Sequence, residues 1–241
     1  MKHFTIKLAL CSIAGTYLLC GVAAFADPVV GQLDDFQSGA GTWQGGGQLT
    51  HTDASKVITT GGPAGAGDQF LQIDSSVGSD DTQAAPRLLA ISSTPATEWG
   101  GNFVTAGVTG VTMDLMNPNS IALTMRVAFR DGTSMSSPAY VTNNAAAFTL
   151  PADGQWHHVT FNFIPTDMTT VGTPGDFTTF LESVQEFRIV DSATASYMGD
   201  QFQTQTYFDV DNIQAVPEPA ALVLTVLGLS ALVAVRLRRC G

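Results

Sequence analysis

The stretch VTMDLMNPNSIALTMRVAF, residues 111–129, contains two alternating apolar patterns that flank a turn. The first pattern places Val111, Met113 and Leu115 at every second position, and the second keeps that spacing from Leu123 to Phe129. Alternation with a period of two is typical of a strand with one face buried and the other in water. The stretch therefore predicts two neighbouring antiparallel strands.

The same alternation recurs nearer the C-terminus. Val159, Phe161 and Phe163 alternate with polar residues after an Asp-Gly turn. The segments Glu186–Val190 and Tyr207–Ile213 are rich in aromatic and β-branched residues and predict the last two strands, with the sheet ending at about residue 214. Weaker strand patterns lie at Gly31–Phe36, Lys56–Thr59, Phe70–Asp74 and Arg87–Ile91.

The region from Asp27 to Val216 shows no helical periodicity of useful length. Its short strand patterns are separated by turns rich in Gly, Asn, Asp and Ser. Many short strands with turn signals between them are typical of a β-sandwich. We therefore expect an all-β protein with one jelly-roll-like sandwich over residues 27–215, flanked by an N-terminal signal helix and a C-terminal transmembrane helix.

The first 26 residues have the pattern of a signal peptide. Two lysines precede an apolar run over residues 8–24, and the small residues Ala24 and Ala26 flank Phe25. A basic start, an apolar centre and a small-x-small end are the three parts of an export signal. The pattern predicts cleavage after Ala26 and a mature chain that begins at Asp27.

The last 26 residues carry a second targeting pattern. The run from Ala220 to Val235 has no charged residue and would span about 24 Å as a helix. Basic residues favour the cytoplasmic side, so we expect the preceding chain to lie across the membrane. The motif and basic tail of this 216–241 segment consist of Val216, Pro217, Glu218, Pro219, Arg236, Arg238 and Arg239.

This combination of a Pro-Glu-Pro triplet, an apolar span and a basic end resembles the PEP-CTERM sorting signal of Gram-negative, exopolysaccharide-making bacteria. The resemblance implies an exosortase-type membrane protease or transpeptidase as a partner, which would process the chain near the triplet. It also implies transient anchoring in the inner membrane, followed by delivery to the cell surface or extracellular matrix. The alternative from the same residues is a permanently membrane-anchored structural protein.

The composition of the exported region excludes some kinds of stabilisation and some kinds of binding partner. Its 190 residues contain no cysteine, so neither a disulfide nor a cysteine metal site can stabilise it. Five basic residues stand against 20 acidic ones, a net charge of −15. Such a surface repels phosphate backbones, which argues against nucleic acid as a partner.

Three motifs in the exported region resemble galactose-binding-like, carbohydrate-binding jelly rolls. They are LDDFQSG at 33–39 followed by GTW at 41–43, GQWHHVTF at 154–161, and FDVDNI at 208–213. The resemblance implies glycan binding and a structural calcium ion near an aspartate of the final strand. A residue that is often Glu in such proteins is Gln37 here, which replaces a charged ligand by a neutral amide.

A calcium site would need oxygen ligands from both ends of this domain. First and last strands of a jelly roll usually lie side by side, so Asp34 or Asp35 could approach Asp209 or Asp211. The competing interpretation is that Asp209 and Asp211 only flank an edge strand. A structural calcium ion is thus one of two hypotheses for these residues, with the four aspartates as its candidate ligands.

The remaining candidates concern ligand binding and catalysis. Trp99, Tyr140 and Tyr197 lie in loop-like surroundings, where they could stack on sugar rings or anchor loops on the sandwich. Trp43 and Trp156 are expected in the core. His157 and His158 are adjacent, so in a strand they face opposite sides and cannot share a metal.

No catalytic residues are predicted. The chain has no HExxH or GxSxG motif, and no pair of carboxylates stands out as an acid and base. We expect a non-catalytic, glycan-binding or structural protein, with a secreted carbohydrate-active hydrolase as the alternative.

Overall fold

A computed structural model describes residues 27–45, 55–75, 87–93, 98–132, 136–202 and 204–217. The predicted signal peptide and the segment from Glu218 onward, with the apolar run and the arginines, lie outside these ranges. Among the described residues, no helix has the length and apolar character that crossing a membrane requires.

The described chain is built almost wholly from strands. In chain order the elements are β1 (Leu33–Asp34), β2 (Trp43–Gly45), β3 (Ser55–Ile58), β4 (Phe70–Asp74), β5 (Leu89–Ser93), α1 (Phe103–Ala106), β6 (Gly110–Met116), β7 (Leu123–Arg130), β8 (Ala139–Thr142), β9 (Phe148–Leu150), β10 (Trp156–Asn162), β11 (Met168–Val171), α2 (Phe177–Leu181), β12 (Glu186–Asp191) and β13 (Tyr207–Val216).

These strands form two antiparallel sheets. The first sheet has the order β10-β6-β13-β4-β3, with β1 also paired to β13, and the second has the order β11-β8-β7-β12-β5-β2, with β9 paired to β7. One core cluster contains Met113 and Val210 of the first sheet and Val127 and Phe187 of the second. The predicted all-β sandwich is confirmed.

The predicted pairing of the two strands in residues 111–129 is wrong. β6 pairs with β10 and β13 in the first sheet, whereas β7 pairs with β12, β8 and β9 in the second. The connection between them crosses from one sheet to the other, and the buried Asn117 holds it by donating to the carbonyls of Ile121 and Leu150. Alternation marks a buried face but cannot say which sheet a strand joins.

The last strand is longer than predicted. β13 extends to Val216 rather than ending near residue 214, and its pairing with β6 is interrupted by an irregularity between Asp211 and Gln214. Asn212 lies in this interruption with φ of 50°, a left-handed conformation that Asn tolerates better than most residues. On its other edge, β13 pairs with β4 along its first half and with β1 near its end.

Candidate functional site

The first and last strands lie side by side, as the sequence predicted. Leu33 is opposite Gln214 and Asp34 is opposite Ile213. This pairing brings the aspartates of the first motif close to those of the last strand. It does not bring all four carboxylates together, because each is directed to a different set of partners.

Asp34 binds two tryptophans. One carboxylate oxygen, Oδ2, accepts hydrogen bonds from the indole Nε1 of Trp43 at 2.6 Å and of Trp99 at 2.7 Å. Trp99 also stacks on Phe187, with ring centroids 5.3 Å apart. Asp34 therefore ties two core indoles to the first strand, and that oxygen is already occupied.

The burial of Trp99 overturns its assignment as a sugar-stacking residue. Its side chain has an exposed fraction of 0%, so neither ring face is open to a ligand. Trp43 is buried as predicted. Trp99 matches the alternative interpretation, in which it packs a loop onto the sandwich.

Asp209 and Asp211 lie on the outer face of the first sheet and are nevertheless buried. Their neighbours Phe208 and Val210 belong to the core cluster, so the two aspartates point the other way. Asp209 accepts a hydrogen bond from the side-chain amide of Gln72 at 2.9 Å. Asp211 Oδ1 accepts from the main-chain N–H of residue 212, while Asp211 Oδ2 is buried without a hydrogen-bond partner in the described structure.

An aromatic bridge crosses this face. Trp156 of β10 meets Phe70 of β4 edge-on with centroids 5.2 Å apart, although β6 and β13 lie between those strands. The Trp156 indole N–H donates to the carbonyl of Gly61 at 3.0 Å. Trp156 is therefore a half-buried cover on the outer face, and its predicted position in the core is wrong.

Burial perturbs both carboxyl groups under this bridge. Burial raises the pKa of Asp211 to about 7, and the negative charges of Asp68, Asp114 and Asp35 add to the effect. Burial likewise raises the pKa of Asp209 to about 6, against a lowering contribution from its bond with Gln72. Asp211 therefore holds its proton more tightly than an ordinary aspartate, because it is buried and has three other carboxylates nearby.

Oxygen atoms also gather around the side-chain amide of Gln37. Its Nε2 lies 3.1 Å from the carbonyl oxygen of Asp35, 2.9 Å from Asp68 Oδ1 and 3.3 Å from the carbonyl oxygen of Gln69. The carboxylate of Asp35 itself accepts from the main-chain N–H of Gln37. Two carbonyls and one carboxylate are oxygen ligands of the type that calcium uses.

The four predicted calcium ligands do not converge on one point. In the described ranges, no group of three or more His, Cys, Asp or Glu side chains is arranged to hold a metal ion. Oxygen atoms gather around Gln37 instead, and Asp211 Oδ2 is a separate buried atom without a hydrogen-bond partner in the described structure. Sequence reasoning could not find Asp68, because it lies in a glycine-rich loop with no strand pattern.

Tyr140 and Tyr197 are also nearly buried, with exposed fractions of 8% and 9%. Tyr197 lies over two guanidinium groups, 4.6 Å from Arg130 and 5.4 Å from Arg188. Tyr140 packs against Phe177 and donates its hydroxyl proton to the carbonyl of Gly175 at 2.6 Å. Stacking of a sugar on either ring face is therefore not supported.

Tyr140 nevertheless borders an open groove of about 480 Å³ beside the edge strand β11. The groove combines an aromatic edge, hydroxyl groups and one carboxylate. Its described lining residues are Tyr140, Pro165, Met168, Thr169, Thr170, Gly175, Asp176, Phe177 and Thr178. Asp176 caps α2 by accepting a hydrogen bond from the N–H of Thr179. Burial raises the pKa of Tyr140, and the negative charge of Asp176 adds to that rise.

A layer of buried arginines on the outer face of the second sheet was missed by the sequence analysis. Arg130 donates to Glu186 at 3.0 Å, and Arg188 donates to the same carboxylate. Arg126 donates to main-chain carbonyls of Ser192 and Thr142. These contacts, with the bond from Arg188 to the carbonyl of residue 197, hold the segment after β12 over the sheet.

The adjacent histidines face opposite sides of β10, as predicted. His157 lies 3.1 Å from Asp153, on the side of the buried Val159. His158 is exposed and its Nδ1 lies 2.8 Å from Asp114 Oδ1. Each histidine therefore pairs with a different aspartate.

Comparison with known proteins finds likeness at the level of fold. The family 11 carbohydrate-binding module from Clostridium thermocellum, solved with a β-1,3-1,4-mixed-linked tetrasaccharide, matches over 78% of this chain and 97% of its own, with 14% identity and a TM-score of 0.45. The family 30 carbohydrate-binding module of a cellulosomal cellulase from the same organism matches over 82% and 96%, with 15% identity and a TM-score of 0.40.

An exo-β-agarase matches over 78% of this chain but only 26% of its own, with 10% identity and a TM-score of 0.41. No protein-family model and no curated protein matches the chain. At these identities the likeness concerns the fold alone, and the ligands of those proteins are theirs.

Proposed function

We propose that the chain is an exported surface or matrix protein, sorted through its C-terminal tail, whose sandwich binds glycan without catalysis. The groove beside β11 carries the binding part of this proposal. Its volume of about 480 Å³ falls in the range of small-ligand sites, and its aromatic edge, hydroxyls and single carboxylate are groups that recognise sugars. A purely structural role in an exopolysaccharide matrix is the outcome if no glycan binds.

Binding to the groove is tested with the chain and the host's own polysaccharide in a pull-down or calorimetric titration. Asp176→Asn removes the carboxylate charge but keeps the N-cap of α2, since Asn caps as well as Asp. We expect this variant to weaken binding several-fold at an unchanged melting temperature. Glu98→Gln, in a separate cleft of about 270 Å³, is the matched control.

Equal binding by Asp176→Asn and the control would place the site elsewhere on the sandwich. Among the described lining residues of the groove, Asp176 is the one carboxylate. Hydrolysis would need a second carboxylate opposite it across the groove. Release of reducing sugar from the polysaccharide by the purified chain would favour the hydrolase alternative.

The sorting part of the proposal rests on residues 216–239. An exosortase-type enzyme would act near Pro217-Glu218-Pro219 while residues 220–235 lie in the inner membrane. Glu218→Ala should leave unprocessed chain in the membrane fraction, whereas Glu182→Ala, an exposed glutamate of the sandwich, should be delivered normally. Normal delivery of both variants would contradict motif-dependent sorting, and membrane retention of the unaltered chain would favour a permanent anchor.

We further propose a structural calcium ion near Asp211. The support is the buried, unpartnered oxygen of Asp211 together with the nearby charges of Asp35, Asp68 and Asp114. Asp211 and Asp68 would supply carboxylate oxygens, and the main-chain oxygen of Asp35 a third. Calcium would neutralise this charge and link β13 to the loop that precedes β4.

Calcium binding is measured by thermal melting with calcium and with chelator. A ligand at 100 times its dissociation constant stabilises a protein by about 2.7 kcal/mol, so a clear rise in Tm is expected for the unaltered chain. Asp211→Asn should abolish that rise, while Asp153→Asn, in the turn before β10, should keep it. An identical Tm with and without calcium would exclude a structural ion at this place.

A further inference from the structure

The described sandwich exposes few large apolar side chains, and most of them lie at one end. The exposed fractions of these side chains range from 38% to 64%. The residues are Val29, Val30, Leu33, Val104, Ile121 and Ile164. We name the set without Ile121 the exit patch, because its members surround the place where β13 ends.

Main-chain hydrogen bonds tie each part of the exit patch to the last residues of β13. The N–H of Gly31, next to Val30, donates to the carbonyl of Ala215 at 2.8 Å. The N–H of Thr109, which follows α1, donates to the carbonyl of Val216 at 3.0 Å. The part of the patch at Ile164 joins through the neighbouring residue, since the N–H of Phe163 donates to the carbonyl of Thr109.

Ile121 lies at the other end of the sandwich. It belongs to the connection after β6, and β6 runs from Gly110, opposite Val216, to Met116, opposite Asp209. Ile121 is exposed to a similar degree as the patch residues. Ile121 is therefore a control site, similarly exposed but far from the end of β13, for measuring contact with lipid.

The length of chain after Pro217 restricts what can lie against this end. Three peptide steps separate Pro217 from Ala220, where the apolar run begins, and they reach at most about 11 Å. If residues 220–235 are in a bilayer, the end of the sandwich at Val216 must lie close to the lipid surface. Exposed Val, Leu and Ile side chains at that distance gain by entering the apolar boundary of the lipid.

We propose that the exit patch is a lipid-contacting surface that holds the sandwich against the membrane while the C-terminal tail is inserted. This inference rests on the proposed membrane role of the tail. The net charge of −15 in the exported region opposes anionic lipid, so the contact is with zwitterionic lipid. Its consequence is that Pro217-Glu218-Pro219 is kept at the membrane surface, within reach of an enzyme embedded there.

The test places an environment-sensitive fluorophore on a single cysteine at the patch or at the opposite end. Val30→Cys and Ile121→Cys are made in the chain without the predicted signal peptide, beginning at Asp27, with Cys240 changed to serine. Each labelled chain is reconstituted into phosphatidylcholine vesicles with and without brominated phosphatidylcholine. We expect brominated lipid to quench the probe at residue 30 several-fold more than the probe at 121, and iodide in the water to do the reverse.

Flotation of the vesicles separates the two proposals. If the chain floats but both probes respond alike, the lipid-contacting surface is refuted and the inserted tail stands. If the chain does not float, both proposals fail. If the probe at 30 is shielded from iodide without lipid quenching, and the shielding grows with protein concentration, the patch binds a second copy of the chain and the lipid proposal is overturned. Equal melting temperatures of the two labelled variants would show that both are folded, so that a difference in quenching reports the surroundings of the probe.

Discussion

Removing the carboxylate of Asp34 should destabilise the sandwich strongly, although Asp34 is only partly buried. One oxygen accepts hydrogen bonds from two indole groups, those of Trp43 and Trp99, and both rings are buried. A hydrogen bond to a charged group contributes about 1.5–3 kcal/mol. Asp34→Ala loses two such bonds and leaves two buried N–H groups without that acceptor, so the expected loss is about 3–6 kcal/mol.

The measurement is urea unfolding and thermal melting followed by tryptophan emission. A loss of 1 kcal/mol lowers Tm by about 2–4 °C in a domain of 150–250 residues, so Asp34→Ala should melt on the order of 10 °C lower. Asp34→Asn keeps an oxygen acceptor but loses its charge, and charged hydrogen bonds are about twice as strong as neutral ones. We therefore expect Asp34→Asn to fall between Asp34→Ala and the unaltered chain.

Asp35→Ala is the matched control, because Asp35 is the next residue and its carboxylate accepts only a local bond from the N–H of Gln37 among its described contacts. All variants are compared in chelator, so that calcium does not contribute. Asp35→Ala should cost less than about 1 kcal/mol. Equal unfolding midpoints for Asp34→Ala and Asp35→Ala would refute the role assigned to Asp34 and the two indoles.

Three other substitutions probe separate parts of the fold. Burial, with the nearby charge of Asp200, raises the pKa of Asp191 to about 6, so the folded state keeps a proton that the unfolded state loses from about pH 4. The free energy of unfolding therefore falls as pH rises from about 4 to 6. Asp191→Asn should flatten the pH dependence of Tm in that range. Glu186→Gln removes the shared carboxylate of two buried arginines and should cost about 3–5 kcal/mol by urea unfolding. Gly101→Ala forces a side chain onto a residue with φ of 88° and against Asp27, and should lower stability by at least about 1–2 kcal/mol in the same assay.

The sequence was most informative where local periodicity and chain order determine the structure. Strict alternation at residues 111–129 located β6 and β7, and the same rule placed the two adjacent histidines on opposite faces of β10. The adjacency of β1 and β13 was predicted from the usual order of a jelly roll and is confirmed. Each of these inferences needs only the period of a strand or its order along the chain.

It was least informative where distant segments cover a face. Arg126 and Arg130 alternate with apolar residues and look solvated in the sequence, yet the segment after β12 buries both. Asp209 and Asp211 are buried on the sheet face that the contact between Trp156 and Phe70 crosses, and these two rings come from non-adjacent strands. Period-two patterns carry no information about what lies over a sheet, so these burials could not be predicted.

The candidate ligand-binding residues also depend on contacts between distant segments, which the sequence pattern does not reveal. Trp99 was singled out because small, polar neighbours suggested an exposed loop, but its indole N–H reaches Asp34, 65 residues earlier, and is buried there. Tyr140 is buried as well, yet it borders the groove through its edge. The groove itself depends on α2 lying beside β11, and neither element has a pattern long enough to be found in the sequence.

The most direct test of the exported, tail-sorted chain is the intact mass of the protein recovered from the surface of its host. We expect a chain that begins at Asp27 and ends near Pro217-Glu218-Pro219, with any attached glycan seen as added mass. A chain recovered from the cytosol with residues 1–26 and 220–241 still present would contradict the account.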